Sequence, residues 1–350
     1  MSRAPKTRGF PSCIRAVGAS LAFALGVLLG PAAHLAPAAH AQPLDEWALT
    51  SWKGEGWQTD FTKISVEPSS IRSGGPPKDG IPSIDAPQFV PVSEASDLAD
   101  VEPVIGLEID GDARAYPLRV LTWHEIVNDV VGGVPVIVTY CPLCNAAIVF
   151  KRTVNGEPVE FGTTGKLRHS DMVMYDRATE SWWQQFTGEA IAGEQLGERL
   201  TLVASRLESW AQFRARHPNG RVLVPNDPTM RPYGSNPYAG YDTARRPFLY
   251  DGALPEGIDP MERVVVLRGA NDDPTVVTMN AVREAGTLEV KGTQLTWEAG
   301  QASALDTRAI PKGRDVGTII ATRDGKDVPY DVTFAFVTHA FHPDTEITGK

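Results

Sequence analysis

Beyond residue 89 the hydrophobic pattern is mostly that of strands, short apolar and β-branched runs set off by polar turn signals. Residues 104–109 and 113–118 flank Asp110-Gly111-Asp112, a hairpin turn signal. Apolar, β-branched runs follow at 134–140 and 146–152, and Asn155-Gly156 turns the chain into 159–161. Further strands are expected at 221–224, 263–267, 275–279, 288–291, 294–297, 318–321 and 328–337, with turn pairs such as Asp324-Gly325 between them. Helical spacing is scarce. One helix is expected at 206–217, where Ser205 and Glu208 read as a capping box, Leu207, Trp210 and Phe213 share a face, and Pro218-Asn219-Gly220 stops it. A second is expected at 118–128, before Gly132-Gly133. Many strands and few helices predict a mainly β (β-rich α+β) fold, a single large antiparallel-sheet domain over residues 96–347.

The pattern is lost ahead of that domain. Residues 42–95 are rich in Pro, Gly and Ser, including Ser73-Gly74-Gly75-Pro76-Pro77, and read as an irregular arm that Trp47, Trp52 and Trp57 anchor to the body. Further upstream, Arg3, Lys6, Arg8 and Arg15 precede a small-and-apolar run at 16–30 and then Ala39-His40-Ala41. Basic, apolar and small-residue regions in that order predict a secretory signal peptide over residues 1–41, its apolar run being short for a spanning helix of about twenty residues.

Composition then acquires a meaning. The 350 residues are 42% hydrophobic and 22% charged, which suits a globular chain and excludes wholesale disorder. With 33 basic against 43 acidic residues the net charge is −10, which argues against a nucleic acid held on a basic face. Loss of the four leader charges moves this to near −14. The expectation is an exported periplasmic or extracellular protein with no integral membrane segment after cleavage. Of its three cysteines, Cys13 would leave with the leader.

Cys141 and Cys144 remain, in Tyr140-Cys141-Pro142-Leu143-Cys144-Asn145 between two strand-like runs. Two intervening residues place both sulfurs on one side of a turn, where they can chelate a metal, cycle as a dithiol or close a small disulfide. The following Ala146-Ala147-Ile148-Val149-Phe150 looks like a returning strand, unlike the helix that follows a thioredoxin-type pair. No second cysteine pair exists, so a metal must recruit ligands elsewhere. His124, His169 and His342 are the candidates, with Met172 and Met174 near in sequence, and such soft or borderline ligands suit copper or zinc. His339 is expected on a strand surface and His217 as a charge at a helix end. Arg177, Trp182, Trp183 and Gln184 form a second candidate group, the adjacent tryptophans pointing to opposite faces of a strand. Tyr233 and Tyr238 lie in an aromatic-rich loop that could line a ligand site or cover a sheet. Glu125, Asp171 and Asp176 are isolated carboxylates that could serve as a base. Nucleotide-binding glycine loops, a GxSxG elbow and an HExxH helix are all missing from the sequence.

Five segments in order, Trp123-His124-Glu125-Ile126-Val127-Asn128, Thr139-Tyr140-Cys141-Pro142-Leu143-Cys144, Met174-Tyr175-Asp176-Arg177, Ser181-Trp182-Trp183-Gln184-Gln185 and Phe341-His342-Pro343-Asp344-Thr345, resemble the bacterial and archaeal family called domain of unknown function 3179. The resemblance runs from about residue 97 to 347 and places His124, Cys141, Cys144 and His342 inside family-like motifs. It implies no activity, since the family's name records none. The family usually carries one Trp where this chain has Trp182-Trp183, and an aromatic near His339, which makes His339 the weakest candidate ligand. Two readings result: a soft-metal or thiol-redox site on the cysteine pair, or a non-catalytic module for a glycan, peptide or partner protein with the cysteines as a structural disulfide.

Overall fold

The strand Val134–Cys141 pairs antiparallel with Ile126–Val131 on one side and Ala146–Lys151 on the other, and Thr201–Leu202 completes this sheet. Its alternation sends Val136, Val138 and Tyr140 into one apolar cluster and Ile137 and Cys141 into another. Both faces are therefore covered, which explains why this stretch is apolar throughout instead of alternating with polar residues.

The structure, a computed structural model, describes residues 44–269 and 273–350; the signal peptide expected over 1–41 lies outside the described residues. Among the described residues, four further sheets of four or five strands and a two-stranded ribbon, Thr153–Val154 with Glu157–Pro158, accompany the central one. The first runs Ile71–Ser73, Phe161–Arg168, Asp171–Asp176, Trp182–Gln184 and Glu189–Ala192. Another, Arg206–Ser209, Pro103–Ile109, Asp112–Pro117, Arg221–Val224 and Gln88–Pro91, supplies apolar side chains to the Val136 face. The remaining two contain Arg263–Leu267 with Asp331–Phe334, Thr275–Thr278 and Ile347–Thr348, and Thr293–Glu298 with Thr287–Val290, Thr318–Arg323 and Lys326–Asp327. Pairing is antiparallel apart from Arg221–Val224 beside Asp112–Pro117 and Thr275–Thr278 beside Ile347–Thr348. The helices are short: α1 (Leu44–Gly54), α2 (Leu118–His124), α3 (Trp210–Arg216), α4 (Met279–Ala285) and α5 (Ala335–Phe341). None among the described residues is long and apolar enough to cross a membrane.

Most expected strands appear within a residue or two, and the departures have local causes. The arm begins with α1, whose Ala48 and Trp52 are buried while Trp47 stays 65% exposed, so only Trp52 and Trp57 are anchors. The helix expected at 206–217 starts at Trp210, because Arg206–Ser209 pairs with Pro103–Ile109 and the capping box is Ser209 with Gln212. Glu208, read as part of a cap, instead lies in that strand and pairs with Arg216. Helix α2 ends at His124, since Glu125 takes φ 59° and the chain re-enters a strand at Ile126. The run 328–337 divides into Asp331–Phe334 and α5, which places His339 on a helix. Val332 through Val337 are all buried, so period alone could not tell strand from helix there. The long strands Phe161–Arg168 and Asp171–Asp176 are additions to the expected set, because a bulge at Thr164-Gly165 breaks the first one's alternation.

Trp182 and Trp183 do point to opposite faces. Trp182 packs against Trp52, Trp57 and Phe61 with ring centroids 4.8, 5.0 and 4.9 Å away. Trp183 fills the main core beside Phe161, and its Nε1 donates to Asp176 at 2.9 Å. Both are completely buried, one holding the arm and the other the core. Replacing Trp182 with Ala should lower unfolding free energy by about 3–5 kcal/mol, as large core truncations do, whereas Trp182→Phe should cost less; chemical denaturation measures both, and a Trp182→Ala loss no larger than for an exposed residue would refute the arm's attachment through this ring.

Candidate metal centre

The cysteine motif forms the turn of the central hairpin. Cys141 ends one strand opposite Ala146, which begins the next, and the amide of Cys144 donates to the Cys141 carbonyl at 3.2 Å. Asn145 closes the turn at φ 51°, a conformation Asn tolerates better than most residues. Both sulfurs consequently face the same side. Opposite them, Phe161–Arg168 and Asp171–Asp176 are joined by only His169 and Ser170, at φ 55° and 64°. Tight hairpins ask for positive φ at both central positions and usually use glycine or asparagine. Here the strain is accepted by His and Ser, and Asp171 is delivered next to the sulfurs.

Cys141 Sγ, Cys144 Sγ and a carboxylate oxygen of Asp171 lie within 4.8 Å of one another, and all three residues are buried. The cysteines are free thiols. Cys141 Sγ approaches the Ser170 carbonyl at 3.7 Å. Asp171 Oδ2 accepts from the Phe186 amide at 2.8 Å and from Gln184 Nε2 at 2.6 Å, which orients the carboxylate. Oδ1 is buried and has no nitrogen or hydroxyl donor. The Cys144 thiol is the donor nearest that side of the carboxyl, and a thiol is a weak one, so burial costs this group more than it would a fully hydrogen-bonded carboxylate.

A second carboxylic acid faces the same volume. Glu125 caps α2, its amide donating to Leu121 O at 2.7 Å and its carbonyl accepting from the Tyr140 amide at 2.9 Å. The residue keeps slight exposure, yet protein rings its carboxyl densely, and that desolvation, with the Asp171 charge second, pushes it up to about 8. Burial likewise raises Asp171 to about 7 against the lowering effect of its hydrogen bonds. It also raises both thiols, Cys144 the further. Burial thus disfavours the charged form of every acid in the pocket. Tyr238 stands close enough that Glu125 and Cys141 add to the rise that burial gives its hydroxyl, and Tyr241 Oη donates to Leu143 O at 3.0 Å, bracing the turn.

The candidates named from sequence fall in different places. The Pro82 carbonyl can only accept, so His124 Nδ1 carries the proton it donates there at 2.7 Å. Nε2 then accepts from Tyr233 Oη, also at 2.7 Å, and the stacked pair is fully occupied with itself. His169, in the strained turn, packs edge-on against Phe341 and Tyr250; burial and the Arg168 charge push it down to about 4. His342 caps α5 with its ring 6.4 Å from that of Phe186. No histidine nitrogen among the described residues joins the Cys141, Cys144 and Asp171 group. Met172 and Met174 share its apolar surroundings. Gln184 positions Asp171, while Arg177 serves the arm through Asp79, Ser83 and Asp85. Asp176 is consumed by Thr179 and Trp183. Asp171 is visible in sequence only as an isolated acid; its signal is the turn-forming quartet Arg168-His169-Ser170-Asp171, legible once flanked by two strands.

The pH response follows in sign from Glu125 and Asp171. Each is an acid with a folded-state value above its unfolded one, so its contribution is fully present below about pH 4 and is lost as pH rises through about 7 for Asp171 and 8 for Glu125. Metal-free protein should lose stability on the order of a few kcal/mol from pH 5 to pH 9, a tenfold difference in proton affinity between folded and unfolded chains being worth roughly 1.4 kcal/mol. Asp171→Asn should flatten the lower part of that decline. Urea midpoints across pH measure both, and a midpoint rising with pH would contradict this electrostatic picture.

No curated protein and no solved structure matches the chain. One family model does, over residues 78–345, a span that includes the cysteine turn, Asp171 and Glu125. The chain belongs to the family described as "Protein of unknown function (DUF3179)".

Proposed function

We propose that this is a metalloprotein in which Cys141, Cys144 and Asp171 hold one zinc ion, leaving a coordination position for water or a ligand. The observation that carries this reading is the buried Asp171 carboxyl, whose Oδ1 meets no nitrogen or hydroxyl donor, set against two free thiols of which Cys144 is its one neighbouring donor. A divalent cation compensates what the protein leaves uncompensated: it supplies positive charge to a dry cluster of acids and draws the protons off both thiols. Two thiolates with a carboxylate suit borderline zinc better than copper(I), which favours thiolate and thioether alone.

Three protein ligands are the number typical of zinc sites that act on a bound molecule, whereas structural sites usually close with four. Glu125 then lies near the ion as an acid–base group, its carboxyl raised by burial in the metal-free protein and lowered again by the charge of a bound cation. A dithiol exchanging with a protein partner fits less well. Both sulfurs are buried and burial disfavours their thiolates, the reverse of a reactive cysteine. The histidines, including His124 and His342, are left with structural or neighbouring roles. Export to the periplasm or the cell exterior belongs to the proposal too, on the strength of the basic, apolar and small-residue leader.

Protein purified without chelator should carry zinc near one equivalent by elemental analysis. Chelation should lower Tm, and zinc should restore it with release of protons. Cys141→Ser, Cys144→Ser and Asp171→Asn should each weaken zinc binding by about tenfold or more, read by competition with a chromophoric chelator. Asp171→Asn keeps a side-chain oxygen for the Phe186 and Gln184 donors and is the variant expected to stay folded. Wild-type zinc affinity in that variant, or a Tm indifferent to chelation, would overturn the reading.

A further inference from the structure

A cavity of about 310 Å³ opens beside the cysteine pocket, with Arg168, Gln184, Glu189, Ile191, Ala340 and Phe341 on its walls. Its chemistry is set by Arg168. The guanidinium makes one long contact, Nη1 to Gln184 Oε1 at 3.5 Å, and its buried Nε has no acceptor. Among the described residues it forms no ion pair. Asp171 and Glu189 act on it from a distance, Asp171 being held by Gln184 and Phe186, and Glu189 by Arg199 at 2.9 Å. The Phe341 ring covers one face of the guanidinium, 5.4 Å from its central carbon, which removes water from that side. A partly desolvated arginine without a carboxylate is an incomplete pair. Elsewhere this protein completes such pairs: Arg114 has Asp112 and Asp129, Arg263 has Asp242, and Arg268 has Asp331. The larger cavity, about 760 Å³, lies beside Arg263 and Arg314, which are already paired with Asp242 and Asp306.

We propose that the Arg168 cavity binds a small organic monocarboxylate. Arg168 supplies the fixed charge on a wall it shares with His342, and Glu189 on the same wall would repel a dianion, which favours a monocarboxylate over the phosphate dianion. Guanidinium donors match a planar carboxylate. Ile191, Ala340 and Phe341 offer an apolar lining to a short organic tail, and the volume lies at the small end of ligand pockets, which span about 300–1,000 Å³. Gln184 touches both Arg168 and Asp171, so the bound carboxylate sits one side chain from the cysteine pocket. The site needs no metal for its recognition and stands apart from the zinc reading.

The test is titration of the full chain with butyrate and, separately, inorganic phosphate, by ligand-observed NMR and calorimetry. Each is run on chelated protein and repeated with zinc present. Saturable butyrate binding to chelated protein is expected, at least about tenfold tighter than phosphate, and Arg168→Gln should weaken it by about tenfold or more. Arg168→Lys should recover part of the loss. Ala340→Leu, which narrows the cavity without touching a charge, should also weaken binding and serves if Arg168→Gln does not fold. Absence of saturable butyrate binding, phosphate binding as tight as butyrate, or butyrate affinity unchanged in the variants would overturn the proposal. Because the chelated arm contains no zinc, these outcomes are independent of whether Cys141 and Cys144 bind metal.

Discussion

The structure turns on the double-sided burial of the hairpin Val134–Cys141 and Ala146–Lys151. A sheet covered on both faces has no solvated side on which to place polar groups. Whatever its end turn carries is therefore desolvated, and here the turn carries two thiols. Asp171 and Glu125 arrive from neighbouring elements into the same dry volume, and their raised carboxyls follow from that one fact of burial.

Bringing those groups together strains the backbone. Glu125, Asn145, His169 and Ser170 all adopt positive φ without being glycine, and all four belong to the turns that deliver or border the acids. By contrast, the comparable residues Asp110, Asn155 and Asp324 sit at solvent-facing hairpin tips, where Gly follows and the turn geometry alone accounts for them. Such conformations cost on the order of 1–3 kcal/mol each, and they persist where the surrounding fold imposes them. Gln184 connects the strained centre to the cavity at Arg168, so the acidic cluster and the under-partnered guanidinium are neighbours.

The arm and the aromatic loop support this centre at a distance. Trp182 fastens the arm through Trp52, Trp57 and Phe61, while Pro82 in the arm accepts from His124, whose other nitrogen holds Tyr233. Residues that read from sequence as ligands thus act as ties between chain segments. A histidine and a tyrosine carry the same donors and acceptors in either role, and only the identity of the facing atom separates the two.

Local pattern determined much of this protein. Short apolar, β-branched runs and turn pairs located most strands, and the flanking runs around Cys141 and Cys144 specified a hairpin turn with both sulfurs on one side, because those features depend on residues a few positions apart. The opposite orientations of Trp182 and Trp183 followed from the pleat alone. The third member of the site did not, since Asp171 lies 27 positions beyond Cys144 in another sheet. Nor could sequence distinguish a paired arginine from an unpaired one, or a histidine already holding two partners from one open to a metal. Those distinctions rest on which polar atoms are left without a counterpart once the sheets have closed, and that is decided by tertiary packing.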